Sequence, residues 1–145
     1  MSYRDTASYG KRREYIAIAE LLKRGFDVYM TLVDDQGIDC VIRINETRYL
    51  DIQIKARSKK AKQWNFFAAM SFEPRENLYF IFYTEVNDSY WIIPSLDVAE
   101  FGSQNVSGKH SGKRHLSLPK QDSGVKAEIF RKYKNENGFN LLRTK

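Results

Sequence analysis

From Tyr49 to Lys55 the chain alternates without a break. Leu50, Ile52 and Ile54 are aliphatic, and Tyr49, Asp51, Gln53 and Lys55 stand between them. A period of two is the signature of a β-strand, whose side chains point to opposite faces in turn. The strand therefore has one greasy face and one face carrying an acid, an amide and a lysine in a row. The wider stretch Gly37–Arg57 reads as two strands joined by a tight turn at Asn45-Glu46-Thr47. Asp39 lies near the start of the partner strand. Asp, Gln and Lys on two neighbouring strands suggest a metal site with an adjacent cation. The plainer reading is the wet face of a half-exposed sheet, and the strand alone does not decide between them.

The chain before it is helical from about Thr6 to Arg24. Tyr15, Ala17, Ile18, Leu21 and Leu22 gather on one side at 3.6-residue spacing, and Arg12, Arg13, Glu20 and Lys23 on the other. Glu14 falls inside the apolar stripe, and Glu20 does not. Gly25 is placed to end the helix as its C′ residue. Phe26–Val33 reads as a strand and Asp34–Gly37 as a turn. A helix followed by three strands predicts a small mixed sheet with a helix packed on one face.

Beyond the polar strand the chain turns basic. Arg57, Lys59, Lys60 and Lys62 follow Lys55 with no acid among them. Such a run is ordinarily a solvated loop, but next to a polar strand it also suits contact with phosphates. The aromatic run Trp64–Phe72 reads as core or an edge strand. Leu78–Val86 and Tyr90–Ile93 read as a hairpin around Asn87-Asp88-Ser89. Ser95 is the expected N-cap of a short helix ending at Gly102. Gly102–His115 has the composition of a mobile loop, holding His110 and His115 as solvated histidines. A short strand stops at Pro119. A last helix carries Val125, Ile129, Phe130 and Tyr133 and ends near Asn137-Gly138, and Phe139, Leu141 and Leu142 pin the tail.

Composition narrows the class. The chain has 145 residues, one ordinary domain over 1–145, and a formal charge of +6 that favours anionic partners such as nucleic acid. A single cysteine, Cys40, excludes an internal disulfide. No secretory h-region or membrane-length apolar run is present, so an intracellular, cytoplasmic protein with no membrane partner is expected.

Glu14, Gly10, Asp39 and the strand form an ordered set: Gly10-x-x-x-Glu14, then Gly37-Ile38-Asp39, then Ile52-Gln53-Ile54-Lys55. This set resembles the PD-(D/E)xK nuclease superfamily in its Q-x-K form. The similarity covers about the first 57 residues. It is nearest to Holliday-junction resolvases, Mrr-like restriction enzymes and intron-encoded homing endonucleases of this fold. The resemblance implies a restriction-endonuclease-like α/β domain with an αβββαβ core, a central mixed sheet flanked by helices. It implies DNA as partner, Mg²⁺ or Mn²⁺ as cofactor, and endonucleolytic hydrolysis of phosphodiester bonds. By motif match Asp39 is the main metal ligand, Gln53 replaces the usual acid, Lys55 is the motif lysine and Glu14 the helix acid, with Glu20 as its fallback. The backbone carbonyl of Ile54 is a further ligand candidate. Gln53 removes one negative charge, which weakens metal binding and raises the weight on Glu14. Ile38 stands where the motif has Pro. One site per chain implies a homodimer or larger assembly for cutting both strands. The competing expectation is a domain of the same fold that binds DNA or protein without turnover.

Overall fold

The computed structural model describes residues 3–33 and 37–143. The expected turn residues Asp34, Asp35 and Gln36 lie outside them. A long helix, α1 (Tyr3–Lys23), precedes three antiparallel strands, β1 (Asp27–Met30), β2 (Cys40–Arg43) and β3 (Tyr49–Arg57). Next come β4 (Phe66–Met70), β5 (Leu78–Thr84), β6 (Ser89–Pro94) and helix α2 (Ser95–Phe101). The chain closes with β7 (Ser103–Gln104), β8 (Arg114–Ser117), α3 (Val125–Phe130) and α4 (Asn135–Leu141). The central sheet runs β1-β2-β3-β5-β6, and β3 and β5 are its parallel pair. Helices flank this mixed sheet, as expected. The connection from β3 to β5 holds a strand, β4, where the core pattern would place a helix. β4 joins β8 and β7 in a second, three-stranded sheet.

The alternation of β3 is what sets its register. Leu50, Ile52 and Ile54 are buried under Ala17, Ile18 and Leu21 of α1, with Cys40, Ile42, Ile81 and Ile92 beside them. A slip of one residue would expose three aliphatic side chains at about 2 kcal/mol each. The other face of the sheet buries Phe80, Phe82, Trp91 and Ile93 against Phe67 and Met70 of β4, Leu116 and Leu118, and Phe130 and Tyr133. β5 lies between these two cores and is buried along its whole length, as a strand covered on both faces must be.

One local expectation holds, the glycine terminus of α1, and several others change. α1 ends at Gly25 (φ +88), with Gly25 N–H donating to Leu22 O and Phe26 N–H to Leu21 O, the backbone bonds of a glycine C′ terminus. Of its apolar stripe, Tyr15 and Leu22 are more than half exposed, so the buried face is narrower than the periodicity suggests. β1 spans only Asp27–Met30, since Thr31 turns its hydroxyl to donate to Ile38 O at 3.1 Å. Ser95 does not cap α2. Its buried hydroxyl donates to Arg75 O at 2.7 Å and accepts Arg75 N–H at 2.9 Å, fixing the loop before β5. The last helix breaks at Asn135 (φ +49), and α4 carries Gly138 inside it rather than past its end. Among the described residues no helix is long and apolar enough to cross a membrane.

Candidate active-site cavity

The two central strands differ in length, and the cavity follows from that difference. β2 has four residues and β3 has nine. The last ladder pair is Cys40 with Ile52. Asp39 continues the pairing by one bond, its N–H donating to Ile52 O at 2.8 Å. The next bond is made by a side chain: Ile54 N–H donates to Asp39 Oδ2 at 2.7 Å. A carboxylate thus occupies the place of a strand carbonyl, and beyond it the edge of β3 opens. The N–H and C=O of one strand residue leave on the same side, so the Ile54 carbonyl faces this open edge as well.

A cavity of about 710 Å³ lies there. Glu14, Asp39, Gln53, Ile54 and Lys55 all line it. Glu14 comes from α1, one helical turn after Gly10, with its side chain 16% exposed and 3.4 Å from Lys11 Nζ. Asp39 is 9% exposed. Gln53 and Lys55 stand beside Phe80 and Phe82 in the β3–β5 register. Gly37 packs on the Gln53 amide: a Cβ there would sit 3.1 Å from Gln53 Nε2, and the backbone has φ +70. Glycine is the residue that meets both conditions.

The electrostatics show both carboxylates acting on one buried group. The Cys40 thiol, fully buried behind the cavity, is pushed up to about 12, first by burial and then by the charges of Asp39 and Glu14. It stays protonated and inert. The donors are all hard oxygens: two carboxylates, one amide and one backbone carbonyl. That chemistry fits Mg²⁺ or Mn²⁺ and not a thiolate- or imidazole-seeking metal. Among the described residues no group of three or more His, Cys, Asp or Glu could hold a metal. Gln53 and the Ile54 carbonyl must therefore complete any oxygen set here.

The basic residues divide. Arg57 and Lys60 line the cavity; Lys59 and Lys62 are exposed on the loop outside its lining. Burial lowers the pKa of Arg57. Its Nε donates to Phe66 O at 2.8 Å. The loop is held by Glu85, whose Oε1 accepts Lys59 N–H at 2.9 Å and the Ser58 hydroxyl at 3.3 Å. Those bonds depress the Glu85 carboxyl below its usual range, the Lys59 backbone bond most of all.

Two other acids are committed elsewhere. Asp51, on the polar row of β3, pairs with Arg75 at 2.8 Å and does not line the cavity. Glu20 pairs with Arg24 at 2.8 Å. Both histidines lie apart from the cavity, His115 against the Phe66 ring at 5.6 Å. The residue that sequence reasoning missed is Tyr9. It lines the cavity, its hydroxyl donates to Arg57 O at 3.5 Å, and burial raises its pKa. Thr6, which the sequence reading also missed, lines the same wall on a four-residue helical row with Gly10 and Glu14.

No protein-family model matches the chain, and no curated protein does. A solved structure similar in fold is that of a bacterial homing endonuclease, I-Ssp6803I. It shares 19% identity over 92% of this chain and 90% of that one, with a TM-score of 0.66. The two proteins share a fold across nearly their whole lengths.

Proposed function

We infer that this chain is a metal-dependent DNA endonuclease, a single nuclease domain of the PD-(D/E)xK type with a Q-x-K site. The observation that carries the reading is the convergence of Glu14, Asp39, Gln53 and Lys55 on one cavity at the open edge of β3. The shared fold with a homing endonuclease supports it. Glu14, Asp39, Gln53 and the Ile54 carbonyl would hold Mg²⁺ or Mn²⁺. A divalent ion supplies Lewis-acid polarisation of a phosphoryl oxygen and acidifies the attacking water.

The chain's own groups do the rest. Lys55, on the same strand face as Gln53, places an ammonium beside the charge that builds on the phosphoryl oxygens. Arg57 and Lys60 hold the scissile strand by its phosphates, and Lys59 and Lys62 extend that contact along the loop. Water gives up a proton to solvent and attacks phosphorus, a new P–O bond forms, and the bond to one sugar oxygen breaks; that oxygen leaves with a proton from solvent. Because each chain has one such site, cutting both strands calls for a homodimer or larger assembly, which light scattering of the active preparation would register as at least twice the chain mass.

A second reading has an observation of its own. Gln53 leaves the cavity with two carboxylates, which suits a DNA- or protein-binding domain that has lost turnover. One assay separates the two. The purified protein is incubated with supercoiled plasmid and with branched DNA in Mg²⁺, Mn²⁺ or EDTA. Nicking that needs the metal and falls about 10²-fold or more in Lys55→Ala is expected. A protein that nicks nothing in either metal is the binding domain, and the enzymatic reading fails.

A further inference from the structure

From Phe101 to Gln121 the chain has no Asp or Glu, yet it carries Lys109, Lys113, Arg114, Lys120 and both histidines. Composition reads most of this stretch as a mobile loop. The fold makes it a two-stranded arm. β7 and β8 pair antiparallel, Ser103 with His115 and Gln104 with Arg114. The ladder continues outward: Asn105 N–H donates to Lys113 O at 2.9 Å, and Gly112 N–H to Asn105 O at 2.8 Å. Gln104 Nε2 adds a bond to Gly112 O at 2.9 Å. Gly108 and Gly112, both at φ +84, close the tip, where Lys109 and His110 are exposed and Val106 is 90% exposed.

The root of the arm lies against the cavity wall. β8 pairs with β4, and Phe66 of β4 packs its ring on His115 while its carbonyl takes the Arg57 Nε–H. Phe67 packs its ring tilted against Phe82 and Phe72 edge-on against Phe80, the register partners of Lys55 and Gln53. The sheet that bears the arm therefore covers the face from which Gln53 and Lys55 project.

We propose that the β7–β8 arm is a second contact surface for duplex DNA, distinct from the cleavage cavity, with Lys109 and Lys113 on backbone phosphates. For the class of ligand this rests on the endonuclease reading; the placement rests on the arm itself. A two-stranded ribbon has the cross-section that the major groove of B-DNA admits. With no acid in the arm, its positive charge is not neutralised locally, and each phosphate it meets releases counterions. The largely exposed Val106 gives the arm an apolar contact of the kind a thymine methyl accepts.

The test measures binding of the full chain to a defined duplex in EDTA, across a salt series. A Lys109→Gln/Lys113→Gln variant is compared with Lys23→Gln/Lys132→Gln, which removes the same charge from two exposed positions outside the arm. The arm variant is expected to lose about tenfold or more in affinity and roughly two units of the log–log salt slope, with the control close to the parent. Equal losses in both variants would reduce the effect to net charge and overturn the arm. An unchanged arm variant, with a parent that binds, would also overturn it and leave the endonuclease reading standing. A parent that shows no salt-dependent duplex binding would remove both. At saturating protein the arm variant is expected to nick at the parent's rate, and a loss there would place these lysines in the cleavage step instead.

Discussion

Asp39→Asn is expected to lower metal-dependent DNA cleavage by about 10²–10³-fold while the fold survives. The reason is that Asp39 holds two positions in one side chain. As a strand-edge acceptor it satisfies Ile54 N–H. As one of two carboxylates on the cavity it supplies half of the negative charge that an oxygen donor set can offer a divalent ion. Asparagine keeps an oxygen for the Ile54 N–H and loses the charge. Asp39→Ala removes both and leaves a buried N–H without its partner, at about 1–3 kcal/mol. The pair of variants thus separates chemistry from scaffold. Cleavage rate and thermal midpoint are the two readouts. An Asn variant that cleaves at the parental rate would reduce Asp39 to a structural cap on β3.

Gly138→Ala is expected to destabilise the protein by about 3 kcal/mol, the opposite sign to the usual rule. Alanine in a helix interior is ordinarily favoured over glycine by about 1 kcal/mol. Here a Cβ would meet Tyr133 O at 2.0 Å, Tyr133 C at 2.7 Å and Ile92 Cδ1 at 3.0 Å. The first two are backbone atoms that cannot rotate away. α4 would have to lift from β6, withdrawing Phe139 and Leu142 from the core beneath α1. Gly10 is the contrast: it is also helical, and a Cβ there meets nothing within 4 Å. Gly10→Ala should therefore follow propensity and stabilise by about 1 kcal/mol. Denaturant unfolding of the two variants measures both signs. Equal stabilisation in both would mean that α4 does not press on Tyr133 and Ile92 as described.

What the sequence made legible follows from how local each signal is. The alternation of Leu50, Ile52 and Ile54 reports burial on one face directly, because the period belongs to the strand alone. The helical phase of Glu14 against Glu20 was readable for the same reason, and the two acids part as that phase requires, one to the cavity and one to Arg24. The pairing of Asp51 with Arg75 was not readable, since it depends on Ser95 clamping a loop 20 residues away. Nor was the β7–β8 arm. Its Gly, Ser and Lys content is that of a loop, and its order comes from cross-strand bonds between Asn105 and Lys113 and from β4, whose own partner is distant in sequence. The missing crossover helix has a similar cause: Trp64–Phe72 is aromatic enough to bury as strand against Phe80 and Phe82, so the chain adds a second sheet there.

In the proposed function, the open edge of β3 would bind a divalent ion among Glu14, Asp39, Gln53 and the Ile54 carbonyl. Crystals soaked in Mn²⁺ test it most directly, through the anomalous signal of the metal. One peak is expected in that cavity, within bonding distance of Asp39 and at least one of the other three donors, and it should be lost in Asp39→Asn. A cavity without a peak at saturating Mn²⁺, or a peak bound elsewhere on the chain, would contradict it.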